Sequence, residues 1–212
     1  MANLRIDVTG AGPDFAHERR LLAAGAIHVA GVDEVGRGAL AGPVAVAAVI
    51  LDPDDLPEGL DDSKALSPKR REAAFADILR RARCVSVATA CAGEIDAFNI
   101  RGATLLAMRR ALQALAIPAC VALIDGRDIP SGLCCPAQAI IGGDALCLSI
   151  AAASIVAKVM RDAMMARLES RYPAYGFAAH VGYGTARHLR ALETCGATEL
   201  HRRSFAPCGN SG

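Results

Sequence analysis

The sequence predicts an α/β fold, a mixed five-stranded sheet flanked by helices, with a small helical C-terminal part. Three observations predict it. Five short runs rich in Val, Ile and Ala have strand character, and the first two are joined by a glycine-rich connection too short for a crossover helix. The later strands are separated by segments of helical periodicity, which gives helices on both faces of the sheet. A chain of 212 residues, 53% hydrophobic and 21% charged, is also long enough to bury one sizeable core.

Residues 1–25 read as a peripheral, weakly patterned segment, although Phe15 to Ala24 has the composition of a short helix. Ala26 to Asp33 and Pro43 to Leu51 read as two strands, and their short connection predicts an antiparallel pair. A loop of Asp, Pro and Gly follows, and then Ser67 and Pro68 stand as N-cap and first residue of a helix running to Arg83. Cys84 to Ala92 alternates as a third strand. A helix over Ala103 to Leu115 follows a break at Asn99 to Gly102.

Ala119 to Ile124 is the fourth strand and ends in Asp125-Gly126; Ala137 to Ile141 is the fifth and ends in Gly142-Gly143-Asp144. The alanine-rich stretch from Ala145 to Arg171 forms one or two helices stopped by Pro173, and residues 172–212 hold a last helix over Ala186 to Cys195. Residues 26–171 and 172–212 are thus a main domain and a helical part packed on it.

Composition narrows the function classes. A formal net charge of +1 gives no basic bias, so contact with nucleic acid must come from a local patch. The eight cysteines form no CxxC pair and mostly sit in apolar runs, which reads as reduced, structural thiols in a cytoplasmic protein. Arg19-Arg20 before LLAAGAIHVAGV imitates an export signal, but the run contains His28 and leads into Asp33-Glu34. No apolar run reaches membrane-spanning length.

The chemistry is carried by acids. Asp33, Glu34, Asp125 and Asp144 all lie at or just past the ends of apolar strands, and a carboxylate at the edge of a core demands a partner. Carboxylate oxygens are the ligands Mg²⁺ or Mn²⁺ prefers, and two such ions about 4 Å apart can clamp the attacking and leaving oxygens of a phosphodiester. Neighbouring strand residues point to opposite faces. Asp33 and Glu34 therefore share one site only if the strand ends or bulges at Asp33, or if Glu34 contributes its backbone carbonyl. Asp144 is equally placed to cap the following helix. Asp162 lies mid-helix beside Lys158 and Arg161, where an ion pair explains it.

GVDEVGRGALAGPVAVAAVIL, DDSKALS, IDG at 124–126, GGD at 142–144, AAASIVAKVMRD, YGFAAHVGYGT and HRRSFAP, in that order between Ala30 and Pro207, resemble bacterial ribonuclease HII. The GRG triplet favours that branch over ribonuclease HIII. The resemblance implies an RNase H-like fold and an endonuclease that cuts the RNA strand of RNA–DNA hybrids. It also implies cutting on the 5′ side of single ribonucleotides embedded in duplex DNA, leaving 3′-hydroxyl and 5′-phosphate ends.

By motif, Asp33, Glu34, Asp125 and Asp144 would be the metal-binding carboxylates for two Mn²⁺ or Mg²⁺ ions. Gly36, Arg37 and Gly38 would read the 2′-hydroxyl, the one group that separates RNA from DNA at a given position. Tyr183 would stack on the next sugar, and Lys64, with Arg202 and Arg203 behind it, is a phosphate-contact candidate. Val181 stands where similar sequences often carry lysine. His180 and His201 read as structural. A monomer is expected. Two other classes remain open on the residues alone: a non-catalytic nucleic-acid-binding module, which would have no use for four acids beside phosphates, and a small-molecule phosphatase, which would leave GRG and Tyr183 idle.

Overall fold

In the computed structural model, residues 12–61, 63 and 66–210 are described. Helix α1 (Ala16–Ala23) leads into strand β1 (Val29–Val35), followed by β2 (Val44–Ile50), α2 (Pro68–Arg81), β3 (Cys84–Ala90), α3 (Ala92–Gln113), β4 (Val121–Asp125) and β5 (Ala137–Ile140). Helices α4 (Leu148–Leu168), α5 (Phe177–His180) and α6 (Ala186–Cys195) complete the order. The sheet runs β3-β2-β1-β4-β5. The β1/β2 and β2/β3 pairs are antiparallel, and β1/β4 and β4/β5 are parallel. This is the mixed five-stranded sheet that the strand and helix pattern predicts.

Every residue of β2 is buried because helices cover both faces. On one face Ala30, Val32, Val46 and Ile50 pack with Ile95, Met108 and Leu112 of α3. On the other, Ala47 and Val49 pack with Ile78 of α2 and with Ile155 and Val156 of α4. Burying each such aliphatic side chain contributes about 1.5–3 kcal/mol. The alanines of α4 let it lie close to the sheet, and Gly31 of β1 completes the approach, since a Cβ there would run into the backbone of Ser149 and Ile150. That close packing fixes the height of Asp33, two residues further along β1, against α4.

Local chemistry sets most boundaries where the sequence put them. Ser67 Oγ accepts from Arg70 N at 3.4 Å with Pro68 behind it, capping α2. The predicted break is real but narrower, and it lies inside α3. Asn99 sits at φ 56° and its side chain caps Gly102 N at 3.0 Å, while helix runs on both sides of it from Ala92 to Gln113. Asp144 does not cap α4. It lies in a separate 3-10 turn, Gly143–Ala145, and Cys147 is the residue that precedes the helix.

The cysteines depart from expectation. Cys84, Cys147 and Cys208 are buried, but Cys91, Cys120, Cys134 and Cys195 are exposed, and all eight are free thiols. Cys91, Cys120 and Cys134 lie in connections between elements and Cys195 at the end of α6, which brings them to the surface. Among the described residues no helix is long and apolar enough to cross a membrane.

Candidate active site

Strand β1 is regular through its acidic end. Asp33 pairs with Ala47 and Glu34 with Val46 in an unbroken antiparallel register, so neither a bulge nor an early strand end occurs at Asp33. The two carboxylates leave the strand on opposite faces. Asp33 turns toward α4, is buried, and accepts from Glu34 N at 2.7 Å. Glu34 turns toward α3, into a cleft it lines with Arg37, Arg101, Thr104, Met108, Asp125 and Asp128. Its Oε1 accepts from Arg37 Nη1 at 3.4 Å.

Asp125 closes the gap between the faces. The parallel register sets Val32 beside Ile124, so Asp33 and Asp125 follow as neighbours at the carboxyl ends of β1 and β4, where ligands gather in such sheets. Asp125 Oδ1 accepts from Gly143 N at 2.7 Å, which ties the 3-10 turn carrying Asp144 to the end of β4. Burial holds the Asp33 carboxyl well above the usual carboxylate range, and the charges of Glu34 and Asp125 push it the same way. Asp125 is raised too, by burial first, with the negative charge of Asp144 adding to it against its backbone hydrogen bonds. Each link in the chain Glu34, Asp33, Asp125, Asp144 is therefore an unfavourable meeting of like charges.

Such a group favours a cation. Among the described residues no three His, Cys, Asp or Glu side chains are placed together so as to hold a metal ion by themselves. An open set of hard oxygen donors suits Mg²⁺ or Mn²⁺, which leave several coordination positions to water or phosphate. The donor chemistry and the mutual repulsion of the acids fit a divalent ion.

Beside the acids lies the Gly36-Arg37-Gly38 turn. Gly36 has φ 88°, and a Cβ there would overlap the Arg161 guanidinium. Arg37 and Gly38 are exposed, and a Cβ on Gly38 would come within 3.9 Å of the Tyr183 ring. The two loops are stitched together: Leu40 N donates to Gly182 O at 2.8 Å and Ala41 N to the same oxygen at 3.3 Å. Tyr183 is exposed beside this seam, with the Arg161 guanidinium 5.7 Å from its ring centre. Arg37, Gly38 and Tyr183 are thus drawn to one surface, with Arg37 against Glu34 and Gly36 buried beneath them. Lys64 lies outside the described residues.

Two buried arginines hold this surface from behind. Arg161 donates to Pro43 O at 2.9 Å, Val181 O at 2.9 Å and Ala41 O at 3.3 Å. Arg202 donates to Gly36 O and Arg37 O at 2.7 Å each and to Gly42 O at 3.0 Å. Burial pulls Arg202 down to about 10, with Arg161 nearby adding to the effect, so it stays charged at neutral pH. The expectation that Arg202 contacts phosphate is corrected: its guanidinium is spent on backbone carbonyls inside the protein. Arg203, by contrast, is exposed, and its amide donates to Asp96 at 3.0 Å.

The ion pair expected at Asp162 is present, with Lys158 at 2.7 Å, but sequence reasoning missed the separate role of Arg161 on the backbone carbonyls. A signal was present. Positions 154, 157, 161 and 165 recur at helical spacing, and Arg161 sits on the buried stripe they define. Val181 takes φ 46°, a conformation that β-branched residues rarely adopt; Arg161 on its carbonyl holds it there.

The family model described as Ribonuclease HII matches residues 30–208. The chain belongs to the ribonuclease HII family. It is 57% identical over 204 residues to the ribonuclease HII of Rhizobium johnstonii, covering 96% of this chain and 89% of that one. It is 59% identical over 195 residues to the ribonuclease HII of Rhizobium leguminosarum bv. trifolii, covering 92% and 85%. The crystal structure of ribonuclease H2 from Pyrococcus horikoshii OT3 superposes with a TM-score of 0.74 at 26% identity, covering 86% of this chain and 96% of that chain. The fold is accordingly RNase H-like, and the chain is a ribonuclease H, a hydrolase acting on RNA–DNA hybrids.

Proposed function

We propose that this chain cuts the phosphodiester on the 5′ side of a ribonucleotide, both in the RNA strand of hybrids and where a single ribonucleotide interrupts duplex DNA. The products are 3′-hydroxyl and 5′-phosphate ends, which suits a role in removing ribonucleotides from DNA. The observation that carries this reading is the contiguity of two devices. The repelling carboxylates at the ends of β1 and β4 adjoin a turn and a loop joined through Gly182 O.

Asp33, Glu34, Asp125 and Asp144 would hold two divalent ions, Mg²⁺ or Mn²⁺, when substrate is present. Bound there, such ions supply Lewis-acid stabilisation of the phosphoryl oxygens and acidify the attacking water. The chain supplies the rest. Asp33, buried and fixed by the Glu34 amide, stays rigid between β1 and α4. Asp125, held by Gly143 N, keeps the Asp144 turn in register with it. The Gly36–Gly38 backbone, clamped by Arg202, offers peptide groups to the 2′-hydroxyl without a Cβ in the way of two of them. Tyr183 stacks on the following deoxynucleotide's sugar and fixes where the scissile bond falls.

The experiment is cleavage of an end-labelled duplex carrying one ribonucleotide by the wild-type chain, D33N and Y183A, with Mg²⁺ or Mn²⁺. The reading expects D33N to lose at least about 100-fold in rate, the scale of removing one preorganised electrostatic partner of the transition state. Y183A should lose activity selectively on the single-ribonucleotide duplex relative to a long hybrid. An active D33N would overturn the catalytic assignment, and an unaltered substrate preference in Y183A the junction-reading one.

A further inference from the structure

Behind Tyr183 lies a group of three buried histidines, one from each of α5, α6 and the segment after α6: His180, His188 and His201. Their hydrogen bonds form a directed chain. Thr198 N donates to His201 Nδ1 at 3.0 Å, so that nitrogen accepts and the proton of a neutral ring must sit on Nε2. His201 Nε2 lies 3.0 Å from His188 Nε2, so His201 donates and His188 accepts. The proton of His188 is thereby forced onto Nδ1, which lies 3.0 Å from the carbonyl oxygen of Tyr183.

The same carbonyl accepts from Thr185 N at 2.8 Å, and Tyr183 N donates to His180 O at 2.9 Å. Tyr183 is thus held at both its peptide groups while its ring stays exposed. His180 is set by its own bonds, accepting from Gly182 N at Nδ1 and donating from Nε2 to Tyr175 O, and it stacks on His188 with ring centres 4.6 Å apart. Burial keeps His188 and His201 below the usual imidazole range, so both are neutral at pH 7.

We infer that His188 is a positioning residue for substrate selection: the Thr198–His201–His188 chain fixes the tautomer whose Nδ1–H anchors the Tyr183 backbone and so aims the ring at the sugar beyond the ribonucleotide. The inference rests on the reading of Tyr183 as the junction-stacking residue. Substitution at His188 separates the two halves of the chain. In H188N the side-chain amide reaches the place of Nδ1 and keeps a donor for Tyr183. In H188Q it reaches the place of Nε2, keeping a partner for His201 and losing the anchor.

The test has two readouts. On the wild-type protein, a two-bond ¹H–¹⁵N imidazole spectrum at neutral pH should show His188 protonated at Nδ1 and His201 at Nε2; the reverse assignment for His188 overturns the chain. In kinetics, the ratio of kcat/KM on a single-ribonucleotide duplex to that on a long hybrid should fall about tenfold in H188Q, the scale of one lost hydrogen bond, and recover in H188N. Y183A is measured beside them. If Y183A loses the preference while H188Q keeps it, the positioning role falls and the Tyr183 reading stands. If Y183A keeps it, the Tyr183 reading falls first. Should H188Q not fold, H201N, which keeps the Thr198 acceptor and removes the donor to His188, takes its place with the same expected fall.

Discussion

Asp33 sits where burial and two like-charged neighbours all oppose its ionisation. A carboxylate so placed lowers the stability of the metal-free protein at neutral pH, and a bound cation reverses the effect. Replacing it with an uncharged amide of the same shape separates catalysis from folding. D33N is expected to raise the melting temperature of the metal-free protein by several degrees, the scale for about 1 kcal/mol or more in a domain of this size. It should also lose most of the further rise that millimolar Mg²⁺ or Mn²⁺ gives the wild type. Differential scanning calorimetry with and without chelator checks this; equal metal-induced shifts in both proteins would contradict it. At this scale the sequence showed which acids come together, because each lies at or just past the end of an apolar strand. It was silent on how Glu34 comes near the other acids, because strand alternation puts Glu34 and Asp33 on opposite faces. The answer lies in the parallel neighbour: Asp125, at the end of β4, brings the Glu34 cleft and the Asp33 face to a common edge.

At the scale of elements, the Gly36–Gly38 turn after β1 is held from behind by buried cations. Arg202 meets the carbonyls of Gly36, Arg37 and Gly42 together. Arg202→Met keeps the volume and removes every donor, leaving buried carbonyls unpaired at about 1–3 kcal/mol each. A loss of roughly 3–5 kcal/mol in urea or guanidinium unfolding is expected. Conversion to a phosphate-contact role would instead predict near-wild-type stability with weaker, salt-sensitive binding. None of this was legible in HRRSFAP, where two adjacent arginines look alike. One is buried against backbone and the other is exposed, and only tertiary packing separates them. The strands and helices themselves were legible because period and capping residues agree, as at Ser67-Pro68. The first half of α3 was missed because Asn99, at positive φ, interrupts its periodicity.

Over the whole molecule, a sheet with two covered faces supplies rigidity, and the histidine group behind Tyr183 supplies a dependence on pH. His201 is pulled down to about 4 by burial first, with the neighbouring His188 and Arg203 acting the same way, and His188 is lowered as well. Unfolded imidazoles protonate near 6.5, so below that pH the unfolded chain binds protons that the folded chain refuses until about pH 4. The stabilisation is complete above pH 6.5 and is lost as the pH falls through that window. A loss of roughly 2–3 kcal/mol between pH 7 and pH 4 is expected from this source. H201F, which cannot protonate, should flatten the slope there; an unchanged slope in denaturant titrations would contradict the account.

The central claim is that one edge of the molecule both finds a 2′-hydroxyl and cuts beside it. The most direct measurement is product mapping on two duplexes that differ by a single 2′-oxygen, incubated with Mg²⁺ or Mn²⁺. The account predicts one cut, on the 5′ side of the ribonucleotide, with 3′-hydroxyl and 5′-phosphate ends, and an intact all-DNA duplex. A cut on the 3′ side, or equal cutting of both duplexes, would contradict it.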